Sequence, residues 1–265
     1  MARTYTVVNQ KGGVGKTTTS INLSAKLGEY GLRVLIVDLD PQANATASLG
    51  VERHKLNTGI YELLIGTGNV NETILHHPRY NISLIPSTVN LSGAEIELID
   101  LPDRDKRLYN VLTPISDRYD YIIIDCPPSL GLLTLNGLIA ARDGVLIPVQ
   151  CEYLALEGLG QLTQTLHRIR QNLFPELTIR GVLLTMFDGR TNLSADVRAE
   201  VQKFFPEQVF ESYIPRSVRL AEAPSFGMPI SVYAPDSSGA KAYDALAREI
   251  LLSDGYDLKT EKKHG

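Results

Sequence analysis

The stretch NQKGGVGKTT at residues 9–18 places glycines, hydroxyl side chains and two lysines within one short segment. Glycines let the backbone turn its N–H groups toward an anion, and a helix starting near Lys16 adds a favourable dipole. Lys16 is placed to reach the β- and γ-phosphates of a nucleotide, and the Thr17 hydroxyl to ligate Mg²⁺. The residues expected to hold the nucleotide phosphates are Lys11, Gly12, Gly13, Val14, Gly15, Lys16, Thr17 and Thr18.

This segment departs from the usual phosphate-loop pattern G-x-x-x-x-G-K-[ST] in two ways. Gln10 stands where the first glycine belongs, and a second lysine, Lys11, follows it. Two cations in one short loop repel each other, and both require an anion. A phosphate loop needs only Lys16, so Lys11 calls for a separate explanation. It could still contact only its own nucleotide or solvent.

Acidic residues follow two apolar runs farther along the chain. Asp125 ends YDYIIID and is expected to hold Mg²⁺ through water, ahead of a PPSLG turn able to sense the γ-phosphate. In VDLDPQANAT, strand alternation puts Asp38 and Asp40 on one side and Leu39 on the other. We expect Asp40 to orient the attacking water and Asp38 to join the metal's water shell. The alternative interpretation is that these acids only cap a helix or a loop.

The elements that must position these residues alternate between apolar runs and helical patterns. Several runs are apolar on both faces, which is typical of parallel strands covered by helices. The sequence therefore predicts an α/β fold, a doubly wound and mostly parallel sheet of the P-loop NTPase, Rossmann-like type. Strands are predicted at 5–9, 33–39, 82–87, 119–125, 144–150, 179–187 and 209–214, and helices at 16–30, 91–99, 129–141, 156–173, 192–204 and 239–252.

Composition limits the function classes. The 265 residues carry a net charge of -4, so any nucleic-acid surface must be a local patch. Cys126 and Cys151 follow no metal-type spacing, and no signal peptide or membrane-spanning run is visible, so a cytoplasmic location is expected. We expect one domain at 1–253 and a polar, flexible tail at 254–265.

Three motifs resemble those of the ParA/MinD family of P-loop ATPases with a deviant Walker A motif. They are KGGVGKTT at 11–18, VDLDPQANAT at 37–46 and DCPPSLG at 125–131. Two later stretches, LTMFDGRTNLSADV at 184–197 and IPRSVRLAEAPSFGMPI at 214–230, are similar to the chromosomal, Soj-type partition branch. The resemblance covers essentially the whole chain.

The resemblance implies a role for each lysine and a pocket for the base. Lys11 corresponds to the signature lysine, which reaches the ATP of a second subunit in a nucleotide-sandwich homodimer. Catalysis is then expected from Lys11, Lys16 and Asp40, with Mg²⁺ held by Thr17, Asp38 and Asp125. The residues that the resemblance assigns to the adenine pocket are Met186, Pro215, Arg216 and Val218.

The partition branch binds nonspecific double-stranded DNA as an ATP dimer and is released by a ParB-type partner, which implies association with the nucleoid. The resemblance assigns DNA contacts to Arg190 and Arg219, and more weakly to Lys203 and Arg248. The main alternative is a MinD-like ATPase that cycles on a membrane. Gly255 and several acids interrupt any apolar face near the end of the chain, so no membrane contact is expected.

Overall fold

A central sheet of seven strands dominates the computed structural model, which describes residues 1–77, 80–153 and 155–258. The strand order is β3-β4-β2-β5-β1-β6-β7, and all neighbours run parallel except β3 and β4. The strands are β1 Arg3–Val7, β2 Val34–Asp38, β3 Leu75–His77, β4 Ile82–Ile85, β5 Tyr121–Asp125, β6 Gly144–Gln150 and β7 Ile179–Thr185. The expected α/β, mostly parallel architecture is confirmed.

Helices connect the strands and cover the sheet. They are α1 Lys16–Glu29, α2 Asn44–Ser48, α3 Ile60–Ile65, α4 Val70–Thr73, α5 Leu91–Glu97, α6 Arg107–Leu112, α7 Leu132–Ala140, α8 Ala155–Asn172, α9 Asn192–Phe204, α10 Val218–Glu222, α11 Ile230–Tyr233 and α12 Ser238–Ser253. Short 3₁₀ helices occur at Arg53–Lys55, Leu98–Asp100, Thr113–Arg118 and Ala223–Phe226.

Side-chain alternation along β2 shows why helices must cover both faces of the sheet. Val34 and Ile36 join one apolar cluster with α1 and α12, whereas Leu35 and Val37 join a second cluster on the opposite face. All four side chains are buried, with 1% exposure or less. A strand that is apolar on both faces is stable only between two helical layers.

Strand order brings the chemically active segments to one edge. β5 lies between β1 and β2, with Asp125 opposite Val7 on one side and opposite Asp38 on the other. All three strands are parallel, so their carboxyl ends lie together, where open α/β sheets bind ligands. The loop after β1, the acids after β2 and the acid ending β5 therefore converge.

Residues 209–214, predicted as a strand, do not form one. Isolated bridges link the segment to β7 and the residues after it, and the N–H groups of Phe210 and Ile214 donate to β7 carbonyls at 3.0 and 2.8 Å. The backbone N–H groups of Glu211 and Ser212 instead donate to the Glu249 carboxylate of α12, at 2.7 and 2.9 Å. The Glu249 side chain has thus taken two of the donors in the middle of the segment, so the contact with β7 is interrupted there. The sequence prediction also lacked β3, a short antiparallel edge strand.

The sequence predicts a flexible tail from residue 254 onward, but Asp254 itself is held against the sheet. The Asp254 carboxylate, 4% exposed, accepts hydrogen bonds from the Tyr5 hydroxyl at 2.8 Å and the Tyr121 hydroxyl at 2.7 Å. Arg180 adds an ion pair at 3.0 Å. This cluster fastens the end of α12 to β1, β5 and β7. Residues 259–265 of the predicted tail lie outside the described residues.

We expect Asp254→Ala to lower the free energy of unfolding by about 3–5 kcal/mol, because it leaves a largely buried guanidinium and two tyrosine hydroxyls without their acceptor. Urea unfolding measures this, with Asp236→Ala, an exposed acid, as the control. A change below about 1 kcal/mol, the range of an exposed ion pair, would show that the cluster does not anchor the helix.

Candidate functional site

The loop between β1 and α1 has the backbone geometry of an anion cradle. Gly13 and Gly15 adopt positive φ values of 74° and 92°, which a side chain would disfavour. Apart from the adjoining residues, no atom of the described part of the chain lies within 4 Å of a Cβ built on Gly12 or Gly13, so open space lies beside the loop. α1 begins directly at Lys16, and its first N–H groups, which have no acceptor within the helix, are available to an anion.

Lys16 lies almost buried in this cradle, 7% exposed, with its ammonium donating to the Lys11 carbonyl at 3.0 Å. Burial lowers the pKa of Lys16, while the negative charges of Asp125 and Asp40 oppose that shift. A buried ammonium held by one neutral carbonyl is poorly compensated. A polyanion in the cradle would supply the missing charge.

Asp125 is fully buried at the end of β5 and lies beside α1. Its carboxylate accepts hydrogen bonds from the Thr17 hydroxyl at 2.7 Å and the Ser20 hydroxyl at 2.8 Å. Burial and the neighbouring charge of Asp38 raise the pKa of Asp125 to about 7. The structure thus brings together Thr17 and Asp125, two of the predicted Mg²⁺ ligands. Ser20, one turn later on α1, was missing from the sequence prediction.

Asp38 and Asp40 are related by a turn and not by strand alternation, because β2 ends at Asp38. One Asp38 carboxylate oxygen accepts from both the backbone and the hydroxyl of Thr46, each at 2.7 Å. The other accepts from the Asp40 N–H at 3.2 Å. Burial, which is complete, raises the pKa of Asp38 to about 6. Asp38 therefore organises the loop after β2, and its expected place in the metal's water shell stays a prediction.

Asp40 has an oxygen to spare. One carboxylate oxygen accepts from the Gln42 N–H at 2.8 Å, and within the described part of the chain the other has no hydrogen-bond donor. The side chain is 6% exposed, and its charge acts on both Lys16 and Asp125. Asp40 thus lies near enough to act on Lys16 of the phosphate loop, and its expected role in orienting the attacking water stays a prediction.

Lys11 stands apart from Lys16 at the rim of the loop. Its ammonium forms an ion pair with Glu152, just after β6, and the two side chains are 36% and 33% exposed. The Lys11 N–H donates to the Asn9 side chain at 3.0 Å, and that side chain donates to the Pro148 carbonyl of β6 at 2.7 Å. The sequence prediction included neither Asn9 nor Glu152.

A cavity of about 220 Å³ opens on the far side of the loop. Whole small-molecule sites span roughly 300–1,000 Å³, so this cavity suits one end of a ligand whose phosphates lie outside it. Of the predicted base-contacting residues, Met186, Pro215 and Arg216 line it, whereas Val218 is 73% exposed and does not. Met186 has a positive φ of 50°, a strained conformation typical of functional sites. Side chains absent from the prediction that also line the cavity are Thr185, Ser217, Leu220 and Tyr243.

All four predicted DNA-contacting residues pair with a neighbouring acid. Arg190 binds Asp188 at 2.7 Å and holds the pKa of that carboxyl at about 2. Arg219 binds Glu222 at 2.9 Å. The remaining pairs are Arg248 with Asp244, and Lys203 with Glu200. Exposed pairs of this kind contribute at most about 1 kcal/mol, so each cation can be exchanged to a phosphate.

The donor set fits a nucleotide that brings Mg²⁺ with it. Among the described residues, no group of three or more His, Cys, Asp or Glu side chains could hold a metal alone. Mg²⁺ commonly takes one or two protein ligands and completes its octahedron with phosphate oxygens and water. Thr17 and Asp125 match that need, so fold and site together define a P-loop nucleotide hydrolase.

Comparison with known proteins agrees with this class. A family profile described as "AAA domain" matches residues 2–179. The chain is 52% identical to the sporulation initiation inhibitor protein Soj of Bacillus subtilis, over 96% of this chain and all of that protein. It is 49% identical to the chromosome-partitioning ATPase Soj of Treponema pallidum, over 96% and 99%. The chain also resembles the crystal structure of a Mycobacterium smegmatis protein described as cobyrinic acid a,c-diamide synthase, with bound ADP and magnesium. The two superpose with a TM-score of 0.83 at 39% identity, over 95% of this chain and 94% of that chain.

The chain therefore belongs to the ParA/MinD family of P-loop ATPases, and it is a partitioning ATPase of the Soj type that uses ATP and Mg²⁺. Across the ranges that the structure describes, no helix has the length and apolar character needed to cross a bilayer.

The raised pKa of Asp125 predicts a pH dependence for the nucleotide-free protein. The folded state keeps a proton that the unfolded state has lost, so stability falls as pH rises toward and through about 7. At pH 8 we expect Asp125→Asn to be more stable than wild type by on the order of 1–2 kcal/mol, because it removes a buried charge.

Thermal unfolding in EDTA at pH 6 and pH 8 measures this difference. Wild type should lose more stability than Asp125→Asn between the two pH values, and the exposed control Asp196→Asn should behave like wild type. An identical pH slope in Asp125→Asn and wild type would mean that Asp125 is not the titrating group.

Proposed function

We propose that this ATPase is a DNA-segregation switch in which two copies close face to face around their nucleotides and bind nonspecific DNA. A ParB-type partner then triggers hydrolysis and releases the dimer. Residues 1–253 act as one ATPase domain, and the dimer is associated with the nucleoid. The observation that carries the proposal is the separation of the two lysines: Lys16 lies buried in the phosphate cradle, whereas Lys11 lies half-exposed at its rim.

Within one subunit, the proposed roles follow from position and charge. Lys16 neutralises phosphate oxygens, and Thr17 and Asp125 hold Mg²⁺. Asp40, with a free carboxylate oxygen beside this charged group, orients the attacking water. ATP would supply the phosphoanhydride bond whose hydrolysis resets the switch, and Mg²⁺ would neutralise charge on its phosphates. Met186, Pro215 and Arg216 hold the adenine in the adjoining cavity.

The dimer face is proposed at the carboxyl edge of the sheet. Three apolar side chains that follow the ends of β4, β5 and β6 are exposed there: Val89 at 74%, Leu130 at 36% and Tyr153 at 84%. Exposed apolar groups around a nucleotide site favour a protein contact at that edge. A two-fold axis through this edge gives each subunit one Lys11 to offer and one to receive.

The MinD-like alternative predicts membrane binding in place of DNA binding. Relatives named as Soj match this chain at 49–52% identity, which favours the partition function. Incubation of the ATP-loaded protein with anionic liposomes and with duplex DNA separates the two. Sedimentation with liposomes and indifference to DNA would favour the alternative.

The proposal is tested by DNA binding of Asp40→Ala with ATP, with ADP and without nucleotide across a salt series. We expect stable retention on DNA with ATP only, because the variant keeps its phosphate and dimer contacts but cannot position water. Affinity should fall steeply with salt, since phosphate contacts dominate. Failure of the ATP-loaded variant to dimerise would make Asp40 a structural or metal residue.

Adding Arg219→Glu to Asp40→Ala should weaken DNA retention by at least about tenfold and leave the dimer intact, since one cation contact becomes repulsive. A matched substitution, Arg53→Glu, changes an exposed arginine that donates to the Gln42 carbonyl and lies outside the predicted patch. Equal losses in both variants would indicate a nonspecific charge effect and remove Arg219 from the DNA surface.

A mixing experiment tests the position of Lys11. Lys11→Ala should bind ATP but lose partner-stimulated hydrolysis by about a hundredfold or more, the scale of a missing trans cation. Lys16→Ala should fail to bind ATP. In a mixture, Asp40→Ala subunits can offer Lys11 to sites of Lys11→Ala subunits that retain Asp40.

Part of the activity should therefore return when Lys11→Ala and Asp40→Ala, each inactive alone, are combined. The Asp40→Ala and Lys16→Ala mixture is the control. No recovery with the first pair would place Lys11 on its own subunit's nucleotide.

A further inference from the structure

The ion pair between Lys11 and Glu152 joins two segments that the fold already holds together. Asn9 ties the Lys11 N–H to the Pro148 carbonyl of β6. On the other side of the loop, the Thr185 hydroxyl donates to the Val14 carbonyl at 2.8 Å. The position of Lys11 relative to β6 is thus fixed by buried contacts.

Glu152 is fixed from the same framework. The Cys151 N–H donates to the Thr185 carbonyl at 3.0 Å, and the Glu152 N–H donates to the Gln150 carbonyl at 2.9 Å. Thr185 therefore contacts both the phosphate loop and the chain just before Glu152. Because both backbones are fixed in advance, the pair forms by ordering two side chains only.

The ion pair with Glu152 holds the Lys11 ammonium, which in the proposed dimer must reach the ATP of the neighbouring subunit. A lysine held by a carboxylate of its own subunit cannot at the same time reach a phosphate of the neighbour. We propose that Glu152 is a positioning residue that holds Lys11 within its own subunit before dimerisation and releases it when the neighbour's nucleotide competes. This inference rests on the proposed trans role of Lys11.

The pair is suited to exchange because it is half-exposed. Lys11 and Glu152 are 36% and 33% exposed, so solvent weakens the attraction between them. Pairs of this kind shift an equilibrium by up to about fivefold, whereas a nucleotide polyphosphate offers several negative charges at close range. Glu152 therefore delays the transfer of Lys11 without preventing it.

Lys16 connects this release to nucleotide arrival in the same loop. One of the three N–H groups of its ammonium donates to the Lys11 carbonyl, so a phosphate that draws the ammonium toward itself weakens the hold on the Lys11 backbone. The two lysines are thus held by two temporary acceptors within the nucleotide-free subunit, one a carbonyl and one a carboxylate.

The test measures dimerisation by sedimentation velocity with a non-hydrolysable ATP analogue, so it does not depend on turnover. We expect Glu152→Gln to strengthen dimerisation by about two- to twentyfold, since each of two subunits loses one competing pair. Glu152→Asp, which keeps the charge but shortens the reach, should act in the same direction. The control is Glu29→Gln, which removes the exposed partner of Lys26 at the end of α1.

The decisive arm repeats Glu152→Gln in the Lys11→Ala background, where a positioning role predicts no further change. Weaker dimerisation in Glu152→Gln, or the same gain with Lys11 absent, would overturn the inference.

A thermal double-mutant cycle of Lys11→Ala and Glu152→Gln without nucleotide checks the pair itself, and strict additivity would also overturn the inference. If wild type fails to dimerise with the ATP analogue, the proposed function fails, whereas this cycle still reports on the pair.

Discussion

The burial of the Lys16 charge is the constraint on which the rest of the site depends. An ammonium that is 7% exposed must be compensated, and the nucleotide-free chain offers it one carbonyl and the nearby carboxylates of Asp125 and Asp40. Those carboxylates are themselves buried, and the pKa of Asp125 is raised to about 7. The site therefore holds charges whose balance is complete only when phosphates and a divalent cation are present.

The order of the strands in the sheet decides whether Lys16 and the buried acids can meet. The cation follows β1, and the acids follow β2 and β5, so they meet only because β5 pairs with both of its neighbours in register. Hydroxyl groups of α1 then hold Asp125, and Thr46 of α2 holds Asp38. The apolar layers on both faces keep these elements in place, and the Asp254 cluster fastens the last helix to the same sheet.

The sequence alone predicted the features that follow a local pattern, such as strands and the phosphate loop. It missed the features that depend on contacts between side chains distant in the chain. Runs that are apolar on both faces located six of the seven strands, and the glycine-lysine pattern located the phosphate loop. Residues 209–214 have strand-like composition, yet Glu249, distant in sequence, takes two of their backbone donors and interrupts the pairing with β7. The sequence grouped Asp38 with Asp40, which stand at and just beyond the end of β2, but it could not show that Thr46 occupies the first and leaves the second available. Glu152 carries no local pattern, because its importance arises only from its proximity to Lys11.

The two lysines differ in surroundings more than in chemistry, and that difference separates a permanent contact from an exchangeable one. A cation in a nearly dry cradle acts on phosphate with little screening, so Lys16 suits tight binding within one subunit. A cation at a wet rim is screened, and its pairings differ little in free energy, so Lys11 can change partners. A switch needs both properties, because the nucleotide must remain bound while the contact between subunits forms and breaks. The second lysine can serve this purpose only where solvent reaches it, and its place directly before Gly12, at the rim of the loop, provides that exposure.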